Sequence, residues 1–216
     1  MSLQIRNYIF DLDGTLINSS KEVIECMYKA FVEADYPVDK SKLTSNLIGP
    51  PLKQIISNIA PELNDEGKFS EIMFNFRRIY DNDENDISEI YSGVYDVLSA
   101  LKEKKCRLFI ATFKPSAPTF RIVKQFKLNY FEDVYTIDKF EKHITKEEMI
   151  KDIISKYNLK KEETVMIGDA LNDVMAAKNN GIKAIGALWG YGDDKKPLIE
   201  NADIVIERAE EILCLK

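Results

Sequence analysis

The chain has 216 residues, of which 45% are hydrophobic and 31% charged, and its formal net charge is −6 at pH 7. This composition is typical of a folded chain with one sizeable core and a small additional module, and it argues against a disordered or fibrous protein. The negative charge offers no basic surface to nucleic acid or to an anionic membrane, and three scattered cysteines indicate neither a disulfide framework nor a zinc site. No targeting segment or membrane-spanning run is evident, so we expect a cytoplasmic protein without nucleic-acid or membrane partners.

The first predicted element is an apolar strand at residues 8–10 that ends at two carboxylates, Asp11 and Asp13. Gly14 and Thr15 follow them. A buried parallel strand is a continuous apolar run, and ligands of open α/β sheets bind beyond the carboxyl ends of such strands. The alternative is a solvated turn, because Asp and Gly both favour turns. Residues elsewhere in the chain are needed to distinguish a ligand site from a solvated turn.

The following segment, residues 17–88, has only helical periodicity. Three apolar stripes with spacings of three and four residues predict three helices. The stripes consist of Val23, Met27, Ala30, Phe31 and Ala34; of Leu52, Ile55, Ile56 and Ile59; and of Phe69, Ile72, Met73, Phe76 and Ile79. We predict an all-helical domain inserted after the first strand, with candidate hinges near residues 17–20 and 87–92.

From residue 93 onward, predicted strands and helices alternate. Apolar runs predict strands at residues 106–111, 164–167, 183–187 and 204–206, with a shorter one around Val134. Such alternation is typical of a parallel sheet covered by helices on both faces. The predicted fold class is therefore α/β, with the core formed by residues 1–16 and 89–216 and the helical domain by residues 17–88.

Further polar residues lie where these elements begin or end. Thr112 follows the second strand, Lys146 opens a helix, and Asp169 and Asp173 lie one helical turn apart after the strand at residues 164–167. Helix capping or a solvated helix end explains each of them alone. Structural roles do not explain why all of these residues occur together, in this order, at the carboxyl edge of the predicted sheet, where ligands bind.

Together these residues resemble the four motifs of the haloacid dehalogenase-like hydrolase superfamily. The matching positions are residues 11–15 (Asp-Leu-Asp-Gly-Thr), Thr112, Lys146, and Asp169 with Asp173. The helical insertion resembles the cap domain of the superfamily's phosphoglycolate phosphatase-like branch, to which residues 48–52 and 189–192 are also similar. The resemblance implies a Rossmann-like, three-layer parallel core with an inserted all-helical cap.

The resemblance also implies a mechanism. Asp11 would be the nucleophile and form an aspartyl-phosphate, which divides one difficult hydrolysis into two easier steps. Asp13 would be the general acid and base, because an acid two residues along an extended segment lies on the same side. Thr112 and Lys146 would bind the phosphoryl oxygens.

Backbone N–H groups of Leu12, Asp13 and Phe113 would complete the phosphate contacts. Lys114 is the main alternative to Lys146 as the lysine that contacts phosphate. Phe113 stands where this branch often has a small polar residue, which leaves the identity of the substrate open.

A carboxylate attacks a phosphate dianion only with cations to offset the repulsion. By resemblance the cation is Mg²⁺, which prefers oxygen ligands and binds through one or two carboxylates together with substrate phosphate. Its expected ligands are Asp11, the backbone carbonyl of Asp13, and Asp169, with Asp173 binding directly or through water.

The expected activity is that of a phosphoric monoester hydrolase acting on a small phosphorylated metabolite. Phosphoglycolate, a nucleoside monophosphate, pyrophosphate and a sugar phosphate all fit. By resemblance, Gly49 and Pro50 belong to a cap loop that approaches the substrate, although an ordinary connection between helices explains them equally well. A monomer and a homodimer are both compatible with the sequence.

Several rival functions share these residues. A sugar phosphomutase similar to β-phosphoglucomutase would use the same site and keep water from the intermediate, and a 5'-nucleotidase or pyrophosphatase would differ only in substrate. A phosphonate hydrolase would need a Schiff-base lysine from the cap, such as Lys21, Lys53 or Lys68. A non-enzymatic module of the same fold would be expected to lack Asp11 or Lys146, and Asp13 argues against a dehalogenase.

Overall fold

The computed structural model describes residues 4–82, 87–140, 144–192 and 194–215, which divide into two compact units. The first unit comprises residues 4–17, 90–190 and 194–215, and the second comprises residues 18–82, 87–89 and 191–192. The chain passes between them through two short strands, β2 (Ile17–Asn18) and β3 (Glu89–Ile90), which form a two-stranded sheet. The role of residues 17–88 as a cap stays a prediction.

The first unit is built on a parallel sheet of six strands. They are β1 (Asn7–Phe10), β4 (Arg107–Ala111), β5 (Asp133–Tyr135), β6 (Thr164–Gly168), β7 (Lys183–Ala187) and β8 (Ile204–Ile206). Their order is β5-β4-β1-β6-β7-β8. The chain adds strands first on one side of β1 and then on the other, and such a reversal opens a crevice at the carboxyl ends of the central strands.

Helices cover both faces of this sheet. They are α4 (Val94–Glu103) and α5 (Ser116–Gln125) on one face, and α6 (Lys146–Lys156), α7 (Leu171–Asn179) and α8 (Lys196–Asn201) on the other. Alternate residues of β1 enter different cores, since Tyr8 and Phe10 pack with α4 while Ile9 packs with α6 and α7. The two faces are therefore both apolar, and the predicted three-layer, Rossmann-like α/β fold is confirmed.

The second unit contains the three helices that the apolar stripes predicted. They are α1 (Ser20–Glu33), α2 (Leu52–Ile59) and α3 (Glu66–Asp81). Phe31, Ile56 and Ile72 are fully buried in their common core, and burying such a side chain contributes about 1.5–3 kcal/mol. Among the residues that the structure describes, no helix combines the length and apolarity needed to cross a membrane.

Candidate active site

The sheet brings the ends of its three central strands to one level. β1 pairs in parallel register with β4 on one side and β6 on the other. The residue that directly follows each of these strands is polar: Asp11 after β1, Thr112 after β4 and Asp169 after β6. The Asp11 N–H continues the ladder by donating to the carbonyl of Ile167 at 2.9 Å. These residues consequently share one edge of the sheet.

Lys146 lies at the centre of the charged residues. Its Nζ donates to Asp11 Oδ1 at 2.6 Å and to the Ala111 carbonyl at 2.8 Å, and lies 2.9 Å from Asp173 Oδ1. Lys146 is the first residue of α6, and a cation is unfavourable at a helix N-terminus. The Thr145 side chain caps this helix, while the Lys146 side chain is buried against carboxylates that stabilise its charge.

Three buried carboxylates form a compact cluster. One oxygen each of Asp11, Asp169 and Asp173 lies within 4.8 Å of the others. The Thr15 hydroxyl donates to Asp169 Oδ1 at 3.3 Å, and Asp173 accepts the Ala170 N–H at 3.2 Å in the first turn of α7. Hard oxygen donors this close together are the ligand set that a divalent cation such as Mg²⁺ prefers. The residues present therefore fit the ion that the sequence predicts.

The electrostatics of the cluster support the same conclusion. Burial raises the pKa of Asp11 well above its ordinary value; Lys146 opposes this rise, while Asp173 and Asp169 add to it. Burial alone would lower the pKa of Lys146, but Asp11 and Asp173 overcome that effect and raise it. One ammonium among three carboxylates does not balance their charge, and a divalent cation would offset the remaining repulsion.

Asp13 lies beside Asp11 in a tight turn. The Leu12 carbonyl accepts the N–H groups of Leu16 and Ile17 at 2.9 and 3.0 Å, which folds residues 12–17 back on themselves. The Asp13 side chain is 20% exposed, and its Oδ1 accepts a hydrogen bond from Lys114 Nζ at 2.8 Å. The second acid is thus paired with a second buried lysine.

The loop after β4 contributes the hydroxyl and the apolar wall of the site. Thr112 is buried, and its Oγ1 accepts the Lys114 N–H at 3.1 Å. The Phe113 ring centroid lies 5.1 Å from Lys146 Nζ, a distance at which a cation and an aromatic face attract each other. An aromatic residue at position 113 therefore contacts the central lysine.

Two glycines permit close packing around Asp169. Gly14 has φ +84°, and a Cβ there would lie 2.2 Å from Asp169 Oδ2. A Cβ at Gly190 would lie 2.2 Å from Asp169 Cβ and 2.4 Å from the Gly14 carbonyl oxygen. Trp189 Nε1 donates to the Thr15 carbonyl at 3.1 Å. The loop after β7 therefore packs directly on the loop after β1 and confines the Asp169 carboxylate.

Most of the predicted site residues belong to the first unit and converge there. They are Asp11, Leu12, Asp13, Thr112, Phe113, Lys146, Asp169 and Asp173. Gly49, with φ +120°, and Pro50 belong to the second unit, and their role toward a substrate stays a prediction.

Sequence reasoning missed two contacts of the site. Lys114 was weighed only as a phosphate ligand, although it pairs with Asp13. The Trp189 contact with Thr15 was not anticipated. The signal for the first was the position of Lys114 beside Thr112. Nothing in the sequence indicates the second.

Comparison with known proteins agrees with this fold. A family model described as "Haloacid dehalogenase-like hydrolase" matches residues 8–187. The chain is similar to pyrophosphatase PpaX of Halalkalibacterium halodurans, with 31% identity over 88% of this chain and 85% of that protein. It is 28% identical to phosphoglycolate phosphatase of Vibrio parahaemolyticus over 97% and 95% of the two chains. A crystal structure described as a predicted phosphatase from Clostridium acetobutylicum superposes with a TM-score of 0.84 and 28% identity, covering 98% of this chain and all of that one.

Proposed function

Since the chain belongs to the haloacid dehalogenase-like hydrolases and is a phosphatase of that family, we propose that it hydrolyses a small phosphorylated metabolite through an aspartyl-phosphate on Asp11, with Mg²⁺ as cofactor. The observation that supports this proposal most is the convergence of Asp11, Lys146, Asp169 and Asp173 at one sheet edge, with Asp13 in the adjoining turn.

In the first step, a carboxylate oxygen of Asp11 attacks phosphorus and the bond from phosphorus to the ester oxygen breaks. Asp13 donates its proton to that oxygen as it leaves, so the product departs as a neutral hydroxyl. The Lys146 ammonium offsets the charge of the oxygens that remain on phosphorus, and the Thr112 hydroxyl donates to one of them. Their positions are fixed before substrate arrives, which is what makes such electrostatic stabilisation effective.

In the second step, water attacks the phosphorus of the aspartyl-phosphate. Asp13, now ionised, takes a proton from that water, and the bond between phosphorus and Asp11 breaks to release inorganic phosphate and restore the carboxylate. Lys146 remains beside Asp11 throughout and stabilises the carboxylate that is regenerated. Asp13 thus ends the cycle protonated, as it began.

Asp11, Asp169 and Asp173, with the Asp13 carbonyl, would hold Mg²⁺ at the cluster. When bound, the ion neutralises charge on the phosphoryl oxygens and aligns them with the nucleophile. Asp173 already accepts from the Ala170 N–H and pairs with Lys146, so its orientation is fixed by the chain itself.

The substrate class is supported by the relatives. Proteins named for the hydrolysis of pyrophosphate and of phosphoglycolate are similar to this chain over most of its length. We propose that the substrate is a small phosphorylated metabolite of this kind, and that residues of the second unit, including Gly49 and Pro50, select it.

A phosphate-release assay tests the proposal. The protein is incubated with Mg²⁺ and with p-nitrophenyl phosphate, phosphoglycolate or pyrophosphate, and inorganic phosphate is measured beside Asp11→Asn. We expect turnover by the wild type and a loss of at least about 10³-fold in Asp11→Asn, since the nucleophile is removed. Asp96→Asn, an exposed change in α4, serves as the matched control and should remain active. Activity that survives Asp11→Asn would refute the nucleophile, and isomer formation in place of phosphate release would indicate a mutase.

A further inference from the structure

Lys114 has no assigned role in the mechanism above, yet its side chain is among the most buried charges of the first unit. The side chain is 4% exposed, and its ammonium donates to Asp13 Oδ1 at 2.8 Å. A buried ammonium is unfavourable unless it is paired and hydrogen-bonded. The contact with Asp13 is a pairing that offsets this cost.

The backbone around Lys114 is fixed on both sides. The Lys114 N–H donates to Thr112 Oγ1 at 3.1 Å, and its carbonyl accepts from Thr119 Oγ1 at 3.5 Å. Pro115 follows and restricts the backbone further before α5 begins. The ammonium is consequently presented to Asp13 from a rigid loop.

The orientation of the Asp13 carboxyl group matters for its proposed role as general acid and base. Its backbone is fixed by a β-bridge to Ile17, but its side chain is one-fifth exposed and has two rotatable bonds. A general acid works only when its proton is aimed at the leaving oxygen. The other buried lysine of the site, Lys146, is already committed to Asp11, Asp173 and the Ala111 carbonyl.

We propose that Lys114 is a positioning residue that orients the Asp13 carboxyl for proton transfer. The ammonium binds Oδ1, which accepts a hydrogen bond in both protonation states of the acid. The transferable proton is thereby assigned to Oδ2, which gives it to the ester oxygen in the first step and regains one from water in the second. This inference rests on the proposed function, because it needs Asp13 to act as acid and base.

The test uses the dependence on the leaving group. The value of kcat/KM is measured for p-nitrophenyl phosphate, whose phenolate leaves without being protonated, for ethyl phosphate, whose alkoxide needs a proton, and for phosphoglycolate. The variant is Lys114→Met. Lys139→Met is the matched control, since it removes a lysine that pairs with Asp133 at 2.6 Å elsewhere in the first unit.

We expect Lys114→Met to lower kcat/KM by at least about 30-fold for both alkyl esters and by at most about 3-fold for the aryl ester, because general acid catalysis contributes about 10²–10⁴-fold only where the leaving group needs a proton. Lys139→Met should lower none of the three by more than about 3-fold, since it lies outside the proton path. Lys114→Arg, which keeps a cationic donor, should recover part of the loss on ethyl phosphate.

Equal losses on all three substrates would overturn the inference and make Lys114 a structural residue. A loss confined to phosphoglycolate would also overturn it, because Lys114 would then bind the carboxylate of that substrate. In the Asp13→Asn background, Lys114→Met should cause no further loss on ethyl phosphate, and a full additional loss would contradict the assigned role. A wild-type protein that releases phosphate neither from these three esters nor from pyrophosphate would refute the proposed function instead.

Discussion

At the scale of single residues, Lys146 links Asp11, the proposed nucleophile, to Asp173, a proposed metal ligand. Its ammonium contacts Asp11, Asp173 and the last carbonyl of β4, so one side chain joins groups from three elements. The sequence pointed to Lys146 through its resemblance to a family motif, although a lysine in the first turn of a helix is a mismatch with the helix dipole. The structure explains the mismatch, because carboxylates and a carbonyl surround the ammonium and replace the water it has lost.

Replacing Lys146 by Met is expected to affect both activity and stability. Activity should fall by at least about 10²-fold, as when one electrostatic donor of an active site is lost. The free energy of unfolding in metal-free buffer should fall by about 3 kcal/mol, because buried carboxylates lose their cation. Urea denaturation at neutral pH measures the change in the free energy of unfolding, and phosphate release measures the change in activity.

A double-mutant cycle with Asp11→Asn separates pairing from packing. The combined variant should lose clearly less stability than the sum of the two single changes, since Asn leaves no charge at position 11 for the lysine to neutralise. Lys160→Met, which removes an exposed pair with Glu163, should change stability by less than about 1 kcal/mol. Additive effects at positions 11 and 146 would contradict the pairing.

The limits of sequence reasoning are clearest at this scale. Asp11, Thr112 and Asp169 were predictable because each directly follows an apolar run, and parallel strands bring such positions to one edge. The pairing of Lys114 with Asp13 spans 101 residues of sequence and depends on side-chain conformations that no periodicity encodes. The need for glycine at position 190 depends equally on packing, since it arises from a loop that approaches Asp169.

At the scale of elements, the helices and longer strands follow directly from their apolar patterns. The three stripes of the second unit and the strands of the sheet were predictable because burial on one face or on both leaves a regular period. The short strands β2 and β3 were not, because two residues carry no period. The strand β5 has only three residues, forms one edge of the sheet and pairs with β4, so side-chain contacts add to a short ladder.

Asp133, the first residue of β5, is the anchor of that edge. Burial opposes ionisation of Asp133, but hydrogen bonds from Lys139, Lys156, the Tyr157 hydroxyl and the Val134 N–H outweigh it and lower its pKa to about 2. A carboxylate with several donors at the start of a short edge strand ties β5 to α6 and to the chain beyond it. Charge at this position also discourages pairing with the edge of another sheet.

The depressed pKa predicts how stability depends on pH. Because the pKa of Asp133 in the folded state lies below the ordinary value of about 4, its ionised form stabilises the fold above pH 4, and this contribution is lost as the pH falls toward 2. Asp133→Asn should lower the free energy of unfolding by about 1–2 kcal/mol at pH 7 and by progressively less between pH 4 and pH 2. Urea denaturation across this range measures the difference, and a difference independent of pH would contradict the assignment.

At the scale of the whole molecule, the order of the motifs along the chain follows from the topology. The chain forms β1, leaves for the second unit, and returns to build the sheet outward on both sides of β1. The loop that contains Asp11 therefore lies between the loops that provide Thr112 and Asp169. The alternation of strands and helices predicted a parallel sheet covered on both faces, but not the order of its strands, which periodicity does not encode.

Binding of Mg²⁺ should stabilise the protein measurably. A ligand at about 100 times its dissociation constant stabilises a fold by about 2.7 kcal/mol, which raises Tm by about 5–10 °C in a chain of this size. Differential scanning fluorimetry with and without Mg²⁺ measures the shift, and EDTA should reverse it. Asp169→Asn removes one ligand and should reduce the shift by at least half. An unchanged Tm in the wild type, or an equal shift in Asp169→Asn, would contradict the proposed ligand set.

The most direct test of the mechanism is to trap the phosphorylated enzyme. The protein is mixed with p-nitrophenyl phosphate and Mg²⁺, quenched in acid within one turnover and treated with borohydride, which reduces an acyl-phosphate to an alcohol. Peptide mass spectrometry then locates the reduced side chain. Reduction is expected at Asp11 and at no other carboxylate, in proportion to the p-nitrophenol released. Release of p-nitrophenol within that turnover, with Asp11 unmodified or with another residue reduced, would contradict the mechanism.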